Sequence, residues 1–270
     1  MINIVVALPC EAQPLVEHLG LHNVSLSGPF RLYTSEAVSV LVSGVGRLHA
    51  AAATAYLQAY CGADTQHAWI NMGIAGHREY EVGRGFLAHK VSDSDGASFF
   101  PGLSFDFSGQ TAAVLSVDRA ECDFEQDVLY EMEAAGFYAI ASRFSSTELV
   151  HCYKVVSDNS ATGTETLDKQ TVKALVQGHL GIVDELIRHL SEMLAHVGEP
   201  VQVQQDYTRI VTAGIHFTVT QKAQLRGLLR RCHALGLDDC CRAEALIETR
   251  SAKQIFSALR DNLHRYGCAY

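Results

Sequence analysis

Carboxyl groups stand at three points of the chain where an apolar run gives way to a polar one. Glu11 follows the first such run, Glu131 and Glu133 flank a methionine near the middle of the chain, and Asp158 follows a late run. Carboxyl groups serve as general acids and bases, and ionised carboxylates accept hydrogen bonds from hydroxyl groups. These four residues are therefore the first candidates for chemistry.

Each of these carboxyl groups also has an ordinary structural explanation. Glu11 would stand in the first turn of a helix, where a negative charge complements the helix dipole. Paired glutamates such as Glu131 and Glu133 are usually only solvated when they stand at an exposed helix start. Taken singly, none of them establishes a site.

Two glycine-bearing segments point less directly to a ligand. Gly44 and Gly46 lack the full spacing and the downstream acidic residue of a dinucleotide fingerprint, so a plain strand-to-helix turn is favoured over phosphate binding. In residues 71–76, two glycines and an alanine would let a flat ligand approach the backbone. Tight packing of the chain explains that segment equally well.

The elements that would position these residues follow from the hydrophobic pattern. From residue 1 to about residue 196, short β-branched runs alternate with longer helical stretches, which is typical of an α/β domain around a largely parallel or mixed sheet. The predicted strands span residues 2–8, 37–43, 67–71, 85–92, 112–117 and 152–157. Ligands of open α/β sheets bind where strand ends converge on one edge, so we expect Glu11, residues 43–47, residues 71–77 and Asp158 to meet there.

Helices are predicted between and after these strands. Residues 47–60 are alanine-rich and should pack closely on the sheet. Residues 167–194 carry apolar side chains at steps of three and four, which predicts one long amphipathic covering helix. The polar residues 197–206 are predicted to be a connection.

The last part of the chain has a different character. Residues 221–235, 242–247 and 251–266 are predicted to be helical, so we expect an α/β domain over residues 1–198 and a small helical C-terminal extension over residues 207–270. One of these helices carries a basic face formed by Lys222, Arg226, Arg230 and Arg231. A solvated face is favoured over a contact surface for nucleic acid or a partner protein.

Length and composition set the broad class. The 270 residues are 48% hydrophobic and carry a formal charge of −9, so nucleic acid and anionic membranes are not expected partners. No apolar run approaches the roughly 18 residues needed to cross a bilayer, and the N-terminus is predicted to be a strand rather than a targeting peptide. The eight cysteines suit neither a disulfide framework nor a zinc site, which favours a reducing cytoplasm.

The histidines give no sign of a metal site. They form no H-E-x-x-H pattern, and His77, His89 and His151 are predicted to be surface or core residues rather than ligands. No metal and no cofactor is expected. No serine stands in a G-x-S-x-G elbow, which argues against an ordinary serine hydrolase.

The order of these motifs resembles a known family. It is similar to the nucleoside phosphorylase and nucleosidase family, particularly the hydrolytic branch that includes methylthioadenosine/S-adenosylhomocysteine nucleosidase. The most specific elements are the block Glu131-Met132-Glu133-Ala134 and the pair Ser157-Asp158 after a strand. The resemblance covers about residues 1–195 and implies a three-layer α/β/α phosphorylase-like fold with a central mixed sheet.

The resemblance implies cleavage of the N-glycosidic bond of a purine nucleoside by water. Asp158 would be the general acid that protonates N7 of the purine, and Glu11 would orient or deprotonate the attacking water. Glu133 would accept hydrogen bonds from the ribose hydroxyls, and Met132 would pack against the sugar. The other substrate-binding residues implied by the resemblance are Glu131, Val45, Ile74, Ala75, Gly76, Lys154 and Ser157.

The chain departs from the family's pattern at two positions and in one segment. Ile74 stands where the nucleosidases have a small hydroxyl residue, and Lys154 stands where they have an arginine, so the nucleophile site is altered. Residues 118–129 are acidic and lack the Phe-rich base-binding segment expected there. We therefore expect a rebuilt base pocket, while Asp158 still suits a 6-aminopurine, which makes adenine the expected base.

Two alternatives stay open. A phosphorylase needs cations around its phosphate, whereas the first loop here carries Glu11, so hydrolysis is favoured over phosphorolysis. A non-catalytic nucleoside-binding or interaction module is suggested by Ile74 and Lys154, but the presence of Glu11, Glu133 and Asp158 together speaks against it. Family members commonly form dimers or larger assemblies, so the resemblance also implies a homo-oligomer.

Overall fold

The computed structural model of the chain describes residues 1–25, 28–62, 66–121, 123–162, 167–197, 201–237 and 241–265. By its internal contacts the chain divides into two compact units, Met1–His196 and Val197–Tyr270. None of the helices in these described ranges is both long enough and apolar enough to span a bilayer.

A mixed sheet forms the centre of the first unit. Its strands are β1 (Ile2–Val6), β2 (His22–Val24), β3 (Arg31–Thr34), β4 (Val38–Val42), β5 (Ala68–His77), β6 (Gly85–Asp93), β7 (Ser98–Phe99), β8 (Gln110–Ser116), β9 (Leu129–Glu131) and β10 (Val150–Asn159). The order is β10-β6-β8-β9-β5-β1-β4-β3-β2, with β7 paired to β6.

Because β10 pairs with both β5 and β6, the strands β5, β9, β8, β6 and β10 close into a ring. The strands β4, β1, β5 and β10 run parallel, so their carboxyl ends meet at one edge.

Helices cover both faces of this sheet. On one face, α2 (Arg47–Cys61) and α3 (Ala134–Ala141) pack into a core that contains Trp69. On the other face, α1 (Pro9–His18), α4 (Lys169–Gln177) and α5 (Leu180–Val197) pack into a core that contains Ile70. Trp69 and Ile70 are adjacent on β5 and point to opposite faces, as strand geometry requires. The predicted three-layer α/β/α fold with a mixed sheet is confirmed.

Small residues let α2 and α3 approach closely. Ala50 and Ala53 of α2 are fully buried, and a Cβ built on Gly136 of α3 would lie 2.1 Å from the Arg47 carbonyl oxygen. A side chain at position 136 would therefore push the two helices apart. This contact fixes the start of α3, and Glu133 is the residue immediately before it.

The six predicted strands are present as β1, β4, β5, β6, β8 and β10. The prediction of one helix over residues 167–194 is wrong, because the chain turns at Gly178 and His179 between α4 and α5. The His179 ring accepts from Tyr153 Oη at 2.8 Å and donates to the Gly83 carbonyl oxygen at 2.9 Å, which fixes the turn. The apolar steps of three and four continue through the turn, so periodicity does not reveal it.

The second unit consists of helices around its own core. They are α6 (Val201–Thr212), α7 (Val219–Ala234), α8 (Ala243–Ile247) and α9 (Ala252–Arg265). The prediction that residues 197–206 form a connection is wrong, since α6 begins within them. Val203 and Ile210 are buried, and the buried Asp206 accepts the Ala243 N–H at 2.9 Å. The polar side chains of α6 conceal this apolar stripe in the sequence.

Candidate active site

A cavity of about 180 Å³ lies at the edge of the sheet where the parallel strands end. An enclosed cavity of about 150 Å³ already holds a benzene-sized ring, so this one has room for a planar ring system. Ten of the predicted site residues line it, namely Glu11, Val45, Ile74, Ala75, Gly76, Glu131, Met132, Glu133, Ser157 and Asp158. No lysine or arginine is among the described residues that line it.

Glu11 is fixed by backbone donors at the start of α1. The Ala7 and Leu8 N–H groups donate to its Oε2 at 2.9 and 2.8 Å, and the Ile74 N–H donates to its Oε1 at 3.2 Å. Burial raises the pKa of Glu11, although these N–H groups and the Lys154 ammonium oppose that shift. Ile74 thus contributes its backbone here, and its side-chain type does not affect this hydrogen bond.

Gly73 lets two charged groups approach the same point of β5. A Cβ built on Gly73 would lie 2.9 Å from Glu11 Oε1 and 3.6 Å from Lys154 Nζ. A side chain at position 73 would displace the Glu11 carboxylate, while 3.6 Å to Lys154 Nζ is an ordinary contact distance. Gly73 therefore brings the Glu11 carboxylate and the Lys154 ammonium towards each other beneath the cavity floor.

Glu131 serves a buried network rather than an open binding surface. Its Oε2 lies 2.7 Å from Lys154 Nζ and accepts the N–H groups of Glu133 and Ala134 at 3.0 and 2.8 Å. Its Oε1 accepts the Ser116 hydroxyl. Burial acts to raise the pKa of Glu131, but Lys154 and these donors hold it below its ordinary value.

Lys154 does not line the cavity, and its predicted place among the substrate-binding residues stays a prediction. Its side chain is 1% exposed and is held by Glu131. Burial opposes the charge of the ammonium group, but Glu131 and then Glu133 hold the pKa of Lys154 above its ordinary value. A buried cation with such a partner stays ionised.

Glu133 also lines the cavity, next to the ion pair of Glu131 and Lys154. The Gly46 N–H donates to its Oε1 at 2.7 Å, so the turn that ends β4 holds a protein carboxylate. The backbone of Gly46 has φ of 109°, which favours glycine at that position. Burial, followed by the negative charge of Glu131, raises the pKa of Glu133 to about 7.

Asp158 lies at the other end of the cavity, on a bulge of β10. The register with β5 shifts between Val156 and Asp158, which leaves Ser157 as the extra residue. The Ser157 hydroxyl donates to Asp158 Oδ1, and Oδ2 would lie 2.8 Å from a Cβ built on Gly76. Burial raises the pKa of Asp158, with the Ser157 hydroxyl opposing the shift.

An aromatic ring that the sequence analysis missed packs on Gly76, one of the residues that line the cavity. A Cβ built on Gly76 would lie 2.6 Å from the Phe124 ring, and that ring meets Tyr130 edge to face at 5.7 Å. Phe124 is 3% exposed and belongs to residues 118–128, which join β8 to β9. Residues 118–129 lack the Phe-rich segment of the family, and their single phenylalanine, Phe124, is buried.

Other wall residues carried weaker signals in the sequence. Those that line the cavity without having been predicted are Ala7, Leu8, Val117, Ala120, Glu121, Tyr130 and Leu167. Leu8 and Tyr130 are neighbours of predicted residues, so the strand ends alone would have suggested them. The other five could not be predicted in this way, because they reach the cavity only through the fold of the connecting segments.

No protein-family model and no curated protein matches the sequence. Solved structures do match its fold. The 5′-methylthioadenosine nucleosidase of Arabidopsis thaliana is 20% identical with a TM-score of 0.57, and the match covers 70% of this chain and 95% of that one. The 5′-methylthioadenosine/S-adenosylhomocysteine nucleosidase of Neisseria meningitidis, in complex with methylthio-immucillin-A, is 20% identical with a TM-score of 0.58, covering 70% and 99%.

Futalosine hydrolase of Helicobacter pylori is a third match, at 14% identity and a TM-score of 0.58, covering 70% of this chain and 97% of that one. Each solved chain is thus matched over nearly its whole length. At these identities the similarity concerns the fold. The chain has the fold of the 5′-methylthioadenosine/S-adenosylhomocysteine nucleosidases and of futalosine hydrolase.

Proposed function

We propose that this protein hydrolyses the N-glycosidic bond of a purine nucleoside, with adenine as the released base. The observation that carries the proposal is the convergence of Glu11, Glu133 and Asp158 on one cavity. Cleavage of this bond needs a proton for the departing base, a polar clamp for the sugar, and a group that activates water. The fold shared with solved nucleosidases supports the same reading.

Asp158 is the general acid of the proposed reaction. Its raised pKa favours the protonated form, which donates to N7 as the bond between C1′ and the base nitrogen breaks. The bonding electrons leave with the base, and the sugar becomes oxocarbenium-like. Ile74, Ala75 and Gly76 give the cavity an apolar wall near this acid, which suits a purine ring.

Glu133 and Glu11 act on the sugar and on water. The Glu133 carboxylate accepts hydrogen bonds from the ribose hydroxyls, and Met132 packs against the sugar. A water molecule attacks C1′ and passes its proton to Glu11, which has a raised pKa and so is a stronger base than an ordinary glutamate. The products are free adenine and the ribose derivative.

Water is favoured over phosphate as the nucleophile by the charge of the cavity. Glu11, Glu121, Glu131, Glu133 and Asp158 line it, and none of the described lining residues is a lysine or an arginine. A phosphate dianion would meet repulsion there instead of the cationic partners that it requires.

The proposal is tested by incubating the protein with adenosine and a panel of 5′-substituted adenosines, with and without phosphate, and measuring free adenine by chromatography. We expect release without phosphate, and its loss in Glu11→Gln. Strict dependence on phosphate would make the protein a phosphorylase. Binding of these nucleosides without any release would make it a non-catalytic module.

A further inference from the structure

The described parts of the connection between β8 and β9, residues 118–121 and 123–128, form a segment beside the cavity that we call the wall. Ala120 and Glu121 of this wall line the cavity directly, and Phe124 packs on Gly76 beside Asp158. We propose that His77 is a positioning residue that holds this wall through a hydrogen bond to Asp127, and so sets the affinity for the purine end of the substrate. This inference rests on the proposed function.

The wall has a backbone conformation that needs support from outside. Phe124 has φ of 44°, in the left-handed region, which costs a residue other than glycine about 1 kcal/mol or more. Such a conformation persists only where neighbouring contacts hold it. The contacts that hold this segment therefore decide where the Phe124 ring lies.

His77 is itself rigidly held, with its proton on a defined nitrogen. Its Nδ1 accepts the N–H groups of Glu79 and Tyr80, both at 3.0 Å, which leaves Nε2 as the donor. The ring stacks on Tyr80 with centroids 3.7 Å apart and planes within 9°. Nε2 lies 3.1 Å from Asp127 Oδ1, so a buried imidazole donates to a carboxylate that is 75% exposed. The buried imidazole of His77 is therefore the fixed partner in this hydrogen bond, and the exposed Asp127 and its wall are held by it.

The hydrogen bond lies next to the groups that would bind the base. His77 follows Gly76 on β5, and Gly76 pairs with Tyr130 of β9. The Tyr130 hydroxyl accepts the Gln126 N–H at 2.8 Å, so Gln126 and Asp127 are anchored to adjacent positions of the same strand pair. Loss of the hydrogen bond between His77 and Asp127 would loosen the wall beside Gly76, while Glu11 and Glu133 would stay in place.

The test uses three variants of one segment in the full-length protein. Asp127→Ala removes the acceptor, and Asp127→Asn keeps an oxygen that can accept from Nε2. Glu125→Ala removes another exposed carboxylate of the same wall and is the matched control. We would measure KM and kcat for adenine release, and hydrogen exchange of residues 118–128 by mass spectrometry.

We expect Asp127→Ala to raise KM about three- to tenfold with kcat changed less than about twofold, which corresponds to one hydrogen bond. Exchange should be faster in residues 118–128 only. Asp127→Asn should stay close to the wild type in both measurements. The control Glu125→Ala should equal the wild type in both.

Three results would overturn the inference. The first is an Asp127→Ala variant with unchanged KM and unchanged hydrogen exchange. The second is an equal change of KM and exchange in Asp127→Ala and Asp127→Asn. The third is faster exchange throughout the α/β unit of Asp127→Ala, with kcat and KM both impaired. If the wild-type protein released no adenine at all, the proposed function would fail, and the exchange data alone would decide whether His77 holds the wall.

Discussion

Glu131 and Asp158 are buried carboxyl groups that line one cavity, yet their surroundings move their pKa values in opposite directions. At the Glu131 end, an ammonium, a hydroxyl and two backbone N–H groups surround the carboxylate. At the Asp158 end, one hydroxyl donates to the carboxyl group, and Gly76 and the Phe124 ring lie beside it. Burial alone thus does not set the direction of a pKa shift, because at Glu131 the charge of Lys154 and the hydrogen-bond donors outweigh it.

Glu133 combines features of both ends. Burial, and then the negative charge of Glu131 two residues away, raise its pKa to about 7, while the Lys154 ammonium, which is bonded to Glu131, opposes that shift. One ammonium cannot neutralise both carboxylates. The Glu131 end therefore has a permanently charged structural pair and, beside it, a carboxyl group that changes charge near neutral pH.

Removal of the cation should give the largest effect on stability. Lys154→Met leaves the buried Glu131 carboxylate without its partner, and we expect a loss of about 3–5 kcal/mol in the free energy of unfolding. Urea denaturation at pH 7.5 measures this loss. The double variant Lys154→Met/Glu131→Gln should recover part of it, because no uncompensated charge remains. A loss below about 1 kcal/mol in the single variant would show that the pair is not structurally important.

A smaller effect of the opposite sign is expected at Glu133. A carboxyl group with a raised folded-state pKa contributes stability below its unfolded pKa and loses it as pH rises through the folded value, here from 4.5 to about 7. Glu133→Gln cannot ionise, so it should be more stable than the wild type by about 2 kcal/mol above pH 7 and equally stable near pH 4.5.

The same variant should lose activity. The amide of Glu133→Gln cannot supply a charged acceptor to the ribose hydroxyls, and we expect kcat/KM to fall about 10- to 100-fold. Thermal unfolding across pH and adenine release on the same samples would check both outcomes. A Glu133→Gln variant that is less stable than the wild type above pH 7, or that keeps full activity, would contradict the expectation that Glu133 binds the ribose at a cost in stability.

The fold could be predicted largely from the sequence because strand patterning is local. Apolar β-branched runs gave six strands, and the strand-end rule brought Glu11, the glycine turn, residues 71–77 and Asp158 to one edge. The short strands β2, β3, β7 and β9 were missed, because they have two to four residues and no clear alternation. The single helix over residues 167–194 was wrong, since a turn held by the His179 side chain depends on distant partners.

The site was less predictable than the fold. Lys154 was expected at the substrate, but its position is set by an ion pair with Glu131, and no pattern in the sequence shows which partner a buried cation chooses. The contacts of Phe124 with Gly76 and of His77 with Asp127 were missed for a related reason, since they join segments about 50 residues apart in the chain. The homo-oligomer and the cytoplasmic location stay predictions.

The central claim is that Asp158 supplies the proton to the departing base. It is tested most directly by comparing wild type and Asp158→Asn on two substrates, an adenine nucleoside and p-nitrophenyl riboside, whose leaving group departs without a proton. We predict that the variant loses about 10²- to 10⁴-fold in kcat on the nucleoside and less than about tenfold on the nitrophenyl riboside. Equal losses on both substrates, or full activity on the nucleoside, would contradict general-acid catalysis by Asp158.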